Sequence, residues 1–325
     1  MDRVAVLTSG GDAPGMNDAI RGFVRTALDR DLEVIGFKRG YEGLVNNEYD
    51  LMDSPSVGNI LERGGTILRT YRSERFREEK GLKQACNNLD SLGVEGLVTI
   101  GGDGTFRGAM ELNERWDGQV VGIPATIDND IAGTEICIGF NTAVSTALNA
   151  LDKIRDTATS HERTFIIEVM GRNSGHIALS VGLAGGAEEI LVPEIEFDLD
   201  DIADRIINER RSGKPHYIVV LAEGAGEGFD VSEKLQRKSD MQTRLVVLGH
   251  IQRGGSPVAQ DRIGGSKMGY HAVDTLFEGE TGISVGLHEG QRNLVAFEEA
   301  IQGKSIDRND LEIARTLSSK NPDRN

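Results

Sequence analysis

Val120-Val121-Gly122-Ile123-Pro124-Ala125-Thr126-Ile127-Asp128-Asn129-Asp130 runs from a short apolar stretch straight into two acids flanking an amide. The apolar run predicts a buried strand, which puts the residues after it at a strand's carboxyl end. Pro124 is expected to stop the strand pairing, and Asp and Asn favour turns over helix. On an extended peptide Asp128 and Asp130 lie two residues apart and project to the same side. Two carboxylates aimed at one point repel unless a metal, a proton or a cation lies between them. A turn of solvated acids is the alternative for such a triplet taken alone. The rest of the chain decides against it.

Working outward towards the N-terminus, Val94–Ile100 is another apolar strand, and Gly101-Gly102-Asp103-Gly104-Thr105 follows it directly, with a helix expected from near Phe106. Three glycines let backbone approach a ligand closely, and a single Asp suits Mg²⁺, which takes one or two protein carboxylates and completes its shell with water and phosphate oxygens. Earlier still, the strand Val4–Thr8 leads into Ser9-Gly10-Gly11-Asp12-Ala13-Pro14-Gly15-Met16-Asn17 and a helix to about Asp29. Strand, glycine-rich turn and helix together offer N–H groups and a helix N-terminus to a phosphate. The spacing is neither a Walker A loop nor GxGxxG. Between these segments, Gly64-Gly65 precede a cluster of Arg69, Arg72, Arg75 and Arg77.

Towards the C-terminus a helical pattern over about 141–157 ends near Arg155 and Arg163. The strand Phe165–Val169 then runs into Met170-Gly171-Arg172, with an apolar helix from Ser174. Asp198 is placed to cap a helix whose last turn carries Arg210 and Arg211. The strands Tyr217–Ala222 and Thr243–Leu248 end at Glu223-Gly224 and at Gly249-His250-Ile251-Gln252-Arg253-Gly254-Gly255. The tail after Ser305 is helix-prone and is expected to fray from Ser318. Strands and helices alternate without repeat or linker, which predicts α/β architecture: two doubly wound domains with mostly parallel sheets and ligands at the strands' carboxyl ends.

Length and composition narrow the class. At 325 residues, 38% hydrophobic, with 41 glycines, the chain suits about two α/β domains. No apolar run reaches the roughly 20 residues of a membrane helix, and Met1 leads straight into a strand, so a cytoplasmic protein is expected. Cys86 and Cys137 stand apart and read as reduced, packed thiols. A net charge of -16 argues against nucleic-acid and anionic-membrane partners. A phosphorylated substrate would therefore need arginines gathered locally, which is the pattern seen at the strand ends.

In their order and spacing, SGGDAPGMN, GGDGT, TIDND, EVMGR and GHIQRGG resemble the short, bacterial-type 6-phosphofructokinases over essentially the whole chain. The resemblance implies phosphoryl transfer from ATP, with Mg²⁺, to the 1-hydroxyl of fructose 6-phosphate in glycolysis. It implies a nucleotide-binding domain over 1–139 and 252–304, and a sugar-phosphate-binding domain over 140–251 and 305–325. On the matching positions it makes Asp128 the base and Thr126 a partner of the transferring group. Gly11, Arg72 and Arg172 stabilise charge, and Asp103 and Asp130 hold the metal. Tyr41, Arg77, Gly102, Gly104 and Thr105 line the nucleotide. Met170, Gly171, Arg172, Glu223, His250 and Arg253 hold the sugar phosphate, joined by Arg163 and Arg244 from a neighbouring subunit of a homotetramer with shared active sites.

The resemblance also bears on donor and regulation. Pyrophosphate-dependent relatives carry Asp where this chain has Gly104 and Lys where it has Ala125. Gly104 leaves room for an α-phosphate and Ala125 supplies no charge, so ATP is the expected donor. Most ATP-dependent members have Gly at position 125, and the alanine is a departure. The family's effector site, for nucleoside diphosphate (ADP) or phosphoenolpyruvate, corresponds to Arg21, Arg25, Arg155, Glu188, Lys214 and His216. Ser54 and Ser212 replace two basic residues there. Each lost cation removes a contact of roughly 1.5 to 3 kcal/mol, so weak or absent control is expected. The alternatives are a pyrophosphate-dependent or differently specific phosphosugar kinase and a non-catalytic sugar-phosphate- or nucleotide-binding regulatory subunit. NAD and lipid kinases share GGDGT but neither TIDND nor GHIQRGG.

Overall fold

Runs of buried aliphatic residues become strands wherever glycine and turn residues separate them from an amphipathic helix. The computed structural model describes residues 1–318. Within them the chain divides into two compact units, Met1–Thr142 with Arg253–Lys304, and Ala143–Gln252 with the segment from Ser305 onward.

The chain opens with β1 (Arg3–Thr8), α1 (Met16–Asp29), β2 (Glu33–Phe37), α2 (Gly40–Asn46) and β3 (Tyr49–Met52). Next come α3 (Glu79–Ser91), β4 (Gly96–Gly101), α4 (Asp103–Asn113) and β5 (Gln119–Pro124). After α5 (Phe140–His161), the second unit holds β6 (Thr164–Val169), α6 (His176–Gly185), β7 (Glu189–Leu191) and α7 (Leu199–Arg211). It continues with β8 (Tyr217–Ala222), α8 (Gly228–Ser239) and β9 (Thr243–Val247). The first unit is completed by α9 (Ala259–Phe277), β10 (Ile283–His288), β11 (Gln291–Ala296) and α10 (Phe297–Ala300), and α11 (Arg308–Ser318) belongs to the second.

The first unit carries a seven-stranded sheet in the order β11-β10-β5-β4-β1-β2-β3. Its five inner strands are parallel, and β3 and β11 are antiparallel edges. The second unit carries four parallel strands in the order β7-β8-β6-β9. Helices cover the sheets around apolar cores, with Leu7, Phe37, Leu89, Phe106 and Phe297 in the first unit and Ile166, Ile202, Val219, Leu221 and Leu235 in the second. The doubly wound α/β expectation therefore holds. In the first sheet the chain winds from β1 out to β2 and returns to place β4 on β1's other flank. In the second, β9 lies across β6 from β8. Crevices open at such reversals, outside the carboxyl ends of β1 and β4 and of β6 and β9.

Pro124 ends β5 as expected, making the strand's last pair opposite Gly101, and its carbonyl, which proline keeps, accepts from Ile138. Two local expectations are corrected. The peptide at Asp128–Asp130 is not extended, since Asn129 is left-handed at φ 53°. Finally, α4 starts at Asp103 rather than near Phe106, with the Thr105 and Phe106 N–H groups both donating to the Gly102 carbonyl. Asp198 caps α7 as expected, accepting from the Asp200 N–H at 2.8 Å. The expected fraying of the tail falls on 319–325, outside the described residues. Both cysteines are free and buried. Among the described residues no helix is long and apolar enough to cross a membrane.

Asp18 is an unexpected burial, on α1 where that helix packs along α9. Burial pushes its carboxyl up to about 6, against the pull of Arg262 and Arg21 and with a push from Asp261. Because 6 lies above the ordinary 3.8, ionising Asp18 near pH 8 costs the folded state about 3 kcal/mol. That cost disappears below about pH 4, where folded and unfolded chains are both protonated. Asp18→Asn is expected to raise the thermal midpoint at about pH 8, with the gain shrinking to nothing near pH 4; melts across that range check it.

Candidate active site

The crevice at β1 and β4 is built by hydrogen bonds between the two strand ends. The Ser9 N–H donates to the Ile100 carbonyl at 3.1 Å, and the Thr105 hydroxyl donates to the Ser9 carbonyl at 2.9 Å. Gly101 is demanded by this contact, because a Cβ there would sit 2.2 Å from the Thr105 hydroxyl and 2.5 Å from the Ser9 carbonyl. Tyr41 is buried and stacked on Phe76, its ring centre 4.1 Å away, and its hydroxyl donates to the Thr105 carbonyl at 2.6 Å. Tyr41 thus steadies the start of α4 from behind. The Gly64–Thr70 stretch is sewn to the same edge by Thr70 donating to the Gly10 carbonyl and by Thr8 meeting Thr66 and the Arg69 carbonyl.

Beside this edge lies the acidic loop. The Ala125 N–H donates to the Gly101 carbonyl at 2.9 Å, holding the start of the loop against the end of β4. Thr126 adjoins Gly102, whose Cβ would lie 3.4 Å from that of Thr126. Its hydroxyl accepts the Asp128 N–H at 3.2 Å, and Asp128 is 3% exposed, so the proposed base is sheltered from bulk water. Asp103, in the first turn of α4, is half exposed and pairs with Arg107 at 3.0 Å. A Cβ on Gly104 would meet nothing within 4 Å, leaving open space at the first turn of the helix. Ala125 is buried, its methyl packed where the loop closes through the Ala125–Ile138 bridge.

Arg253 closes the first unit's set. Its guanidinium donates to the Asp12 carbonyl at 3.2 Å and passes so near Gly11 that a Cβ there would be 2.4 Å from Nη1. Arg72 is exposed, and Arg77 is exposed with Glu74 3.7 Å away. Arg75 turns aside to Asn46 and Glu42. Arg21 and Arg25 lie on the outer side of α1, half-buried and exposed respectively.

In the second unit two side chains hold the turn after β6 in shape. Gly171, at φ 137°, and Arg172, at φ 52°, make an irregular turn after β6. Glu223, after β8, accepts from the Gly171 and Arg172 N–H groups at 3.2 and 2.8 Å. Gln252, fully buried, accepts from the Met170 N–H at 2.9 Å. Arg172, Arg244 and His250 are exposed, and half-buried Arg163 donates to Gln242 at 2.9 Å. The effector-type residues of this unit also converge. Lys214 bridges Glu188 at 2.9 Å and Glu209 at 3.6 Å, and half-buried His216 has its pKa lowered by burial within the field of Glu188, Arg155 and Lys214. Arg155 donates to the Gly185 and Gly186 carbonyls. Sequence reasoning passed over Gln252 and Glu209 as site residues, since a polar side chain whose partner is distant in sequence leaves no local pattern.

The sequence model of the family described as "Phosphofructokinase" matches residues 3–276. The chain belongs to the phosphofructokinase family. It is 52% identical to the ATP-dependent 6-phosphofructokinase of Clostridium tetani over 98% of this chain and the whole of that one. It is 49% identical to that of Thermotoga neapolitana with the same coverage. Among solved structures, Pichia pastoris phosphofructokinase superposes with a TM-score of 0.88 at 32% identity over 97% of this chain, which spans only 38% of the yeast chain. A pyrophosphate-dependent phosphofructokinase from Marinobacter aquaeolei has a TM-score of 0.84 at 20% identity, covering 98% and 92%, which is a likeness of fold.

In this family member the Gly11–Arg253 contact lends itself to a direct test. Gly11→Ala is expected to displace the guanidinium with little change in melting temperature, because a side-chain tip moves more easily than backbone. Activity should fall about 100-fold, and Gly11→Ala combined with Arg253→Ala should be no worse than Arg253→Ala alone; a double-mutant cycle in kcat/KM measures this.

Proposed function

We propose that the chain transfers the γ-phosphoryl group of ATP to the 1-hydroxyl of fructose 6-phosphate, giving fructose 1,6-bisphosphate and ADP, in the glycolysis of the cytoplasm. The observation that carries the reading is identity near 50% along the full length of relatives named ATP-dependent 6-phosphofructokinase. The open space at Gly104 supports ATP over pyrophosphate.

Roles follow from chemistry. Sheltered Asp128 takes the hydroxyl proton as the sugar oxygen bonds to the γ-phosphorus and the bond to the β,γ-bridging oxygen breaks. A base of low pKa suffices, since a loose transition state puts little charge on the nucleophile until late. The Gly11 N–H, Thr126, Arg72 and Arg172 meet charge on the transferring group. Gly102, Gly104, Thr105 and Arg77 form the nucleotide side, and Tyr41 backs it from within the core by holding the Thr105 carbonyl. The Met170–Arg172 turn, shaped by Glu223 and Gln252, presents the Arg172 side chain to the sugar phosphate together with His250 and Arg253, and Arg163 and Arg244 serve a neighbouring subunit of a homotetramer. Asp103 and Asp130 fit Mg²⁺, being hard oxygen donors after adjacent parallel strands, two carboxylates that leave most of the shell to water and phosphate. When bound, Mg²⁺ would screen phosphate charge.

Effector control is weak in this reading. Besides Ser54 and Ser212, Lys214 is already engaged by two carboxylates, so an incoming ADP or phosphoenolpyruvate must compete for it. Fructose 6-phosphate saturation should be close to hyperbolic, with ADP moving the half-saturation point less than about fivefold, the low end of allosteric coupling. A strongly sigmoidal curve relieved by ADP refutes this.

A donor-by-acceptor panel tests the activity itself. ATP with fructose 6-phosphate should give rapid turnover and pyrophosphate none. Asp128→Ala should lower kcat by about 100- to 10,000-fold while binding of both substrates persists, which also separates an enzyme from a regulatory binder.

A further inference from the structure

Lys304 follows α10 in the first unit and is half-buried. Its ammonium donates to the Asn129 side-chain oxygen at 2.9 Å, to the Thr134 carbonyl at 3.1 Å and to the Glu135 carbonyl at 2.6 Å. The same Asn129 oxygen accepts the Cys137 N–H at 2.9 Å. Asn129 is 4% exposed and sits in the left-handed region, with Asp128 before it and Asp130 after it. The loop is closed at its base, where the Ile138 N–H returns to the Pro124 carbonyl at 3.1 Å. One ammonium therefore joins the middle of the acidic triplet to the returning limb of its own loop.

We propose that Lys304 is a positioning residue for phosphoryl transfer, the clamp that holds the Asp128–Asp130 turn in its working shape through Asn129. The physical case rests on what the turn needs. An aspartate-rich loop carrying a left-handed asparagine has several backbone alternatives of similar energy. A side chain with three donors can bind three acceptors at once, and all three here belong to this loop. Burial removes competing water and lowers the lysine's pKa, whereas the nearby acids, Asp130 and Glu135, favour its charged form. A buried amide oxygen that accepts two hydrogen bonds cannot rotate without abandoning both. Asn129 is thereby fixed, and the two carboxylates bonded to it in sequence share its constraint. Groups behind a metal ligand or catalytic base that fix its direction commonly matter about as much as a ligand does.

The inference rests on the activity proposed above, and the experiment separates the two. Lys304→Met keeps the stem and removes the ammonium; Lys304→Arg restores charge and donors. Lys304→Met should lower kcat about 10- to 100-fold and raise the Mg²⁺ concentration for half-activation, with KM for fructose 6-phosphate within about threefold of wild type. Lys304→Arg should recover much of the loss. Independently of turnover, hydrogen exchange at the Cys137 amide should quicken in Lys304→Met while the strands of the first sheet keep their protection. Unchanged exchange at Cys137, or unchanged kcat and Mg²⁺ requirement, overturns the proposal. So does loss of protection throughout the first sheet, which would make Lys304 merely structural. Absence of kinase activity in the wild-type protein would instead refute the function, and the exchange result would still judge the clamp.

Discussion

Thr105 is held from two sides, its hydroxyl donating to the Ser9 carbonyl and its own carbonyl receiving the Tyr41 hydroxyl. This small set of bonds fixes the distance between the ends of β1 and β4, and the rest of the first unit's site is arranged about it. The turn at Gly10–Gly11 leans on β4 through Thr105, and the acidic loop leans on β4 through Ala125. A parallel sheet ends in a row of carbonyls and N–H groups, and ligands collect where the winding reverses because there the loops part and leave backbone accessible.

The charge of the chain sharpens the point. With a net charge of -16 the molecule repels phosphorylated ligands at long range, so recognition has to come from short-range donors. The two units meet this need differently. In the first, glycines let backbone and a guanidinium approach within contact distance, as at Gly11 and Arg253. In the second, Glu223 and Gln252 hold the Met170–Arg172 backbone in an irregular turn, while Arg172, Arg244 and His250 stand exposed. Carboxylates serve as scaffolding as well as chemistry. Glu223 orders a backbone turn, and Glu188 and Glu209 occupy Lys214, which in a less acidic setting would be available to an anion.

Much of this was legible in the linear order of residues. Alternation of apolar runs with amphipathic helices requires parallel strands and crossover helices, and glycine-rich or acidic stretches directly after those runs must then fall at carboxyl ends. The capping of α7 by Asp198 was readable for the same reason, since a cap acts on residues two or three positions away. Local chemistry misled where tertiary bonds intervened. Asp103-Gly104-Thr105 has the composition of a turn, yet Thr105's bond to Ser9 recruits these residues into the first turn of α4. Pro124 does end β5 as its chemistry suggests, but the bond its carbonyl accepts from Ile138, fourteen positions along the chain, leaves no local sign.

By itself the sequence determined the fold class, the placement of SGGDAPGMN, GGDGT, TIDND, EVMGR and GHIQRGG at strand ends, and membership of the family, because periodicity and motif order are properties of the chain read along its length. Only the tertiary structure decided how the acidic triplet is shaped. Its left-handed asparagine and the carbonyls beside it lie in one short loop, but the lysine that grips them comes from 169 to 175 positions further along the chain. No local propensity records such a bond, since its strength depends on burial and direction, which exist only once the chain has folded.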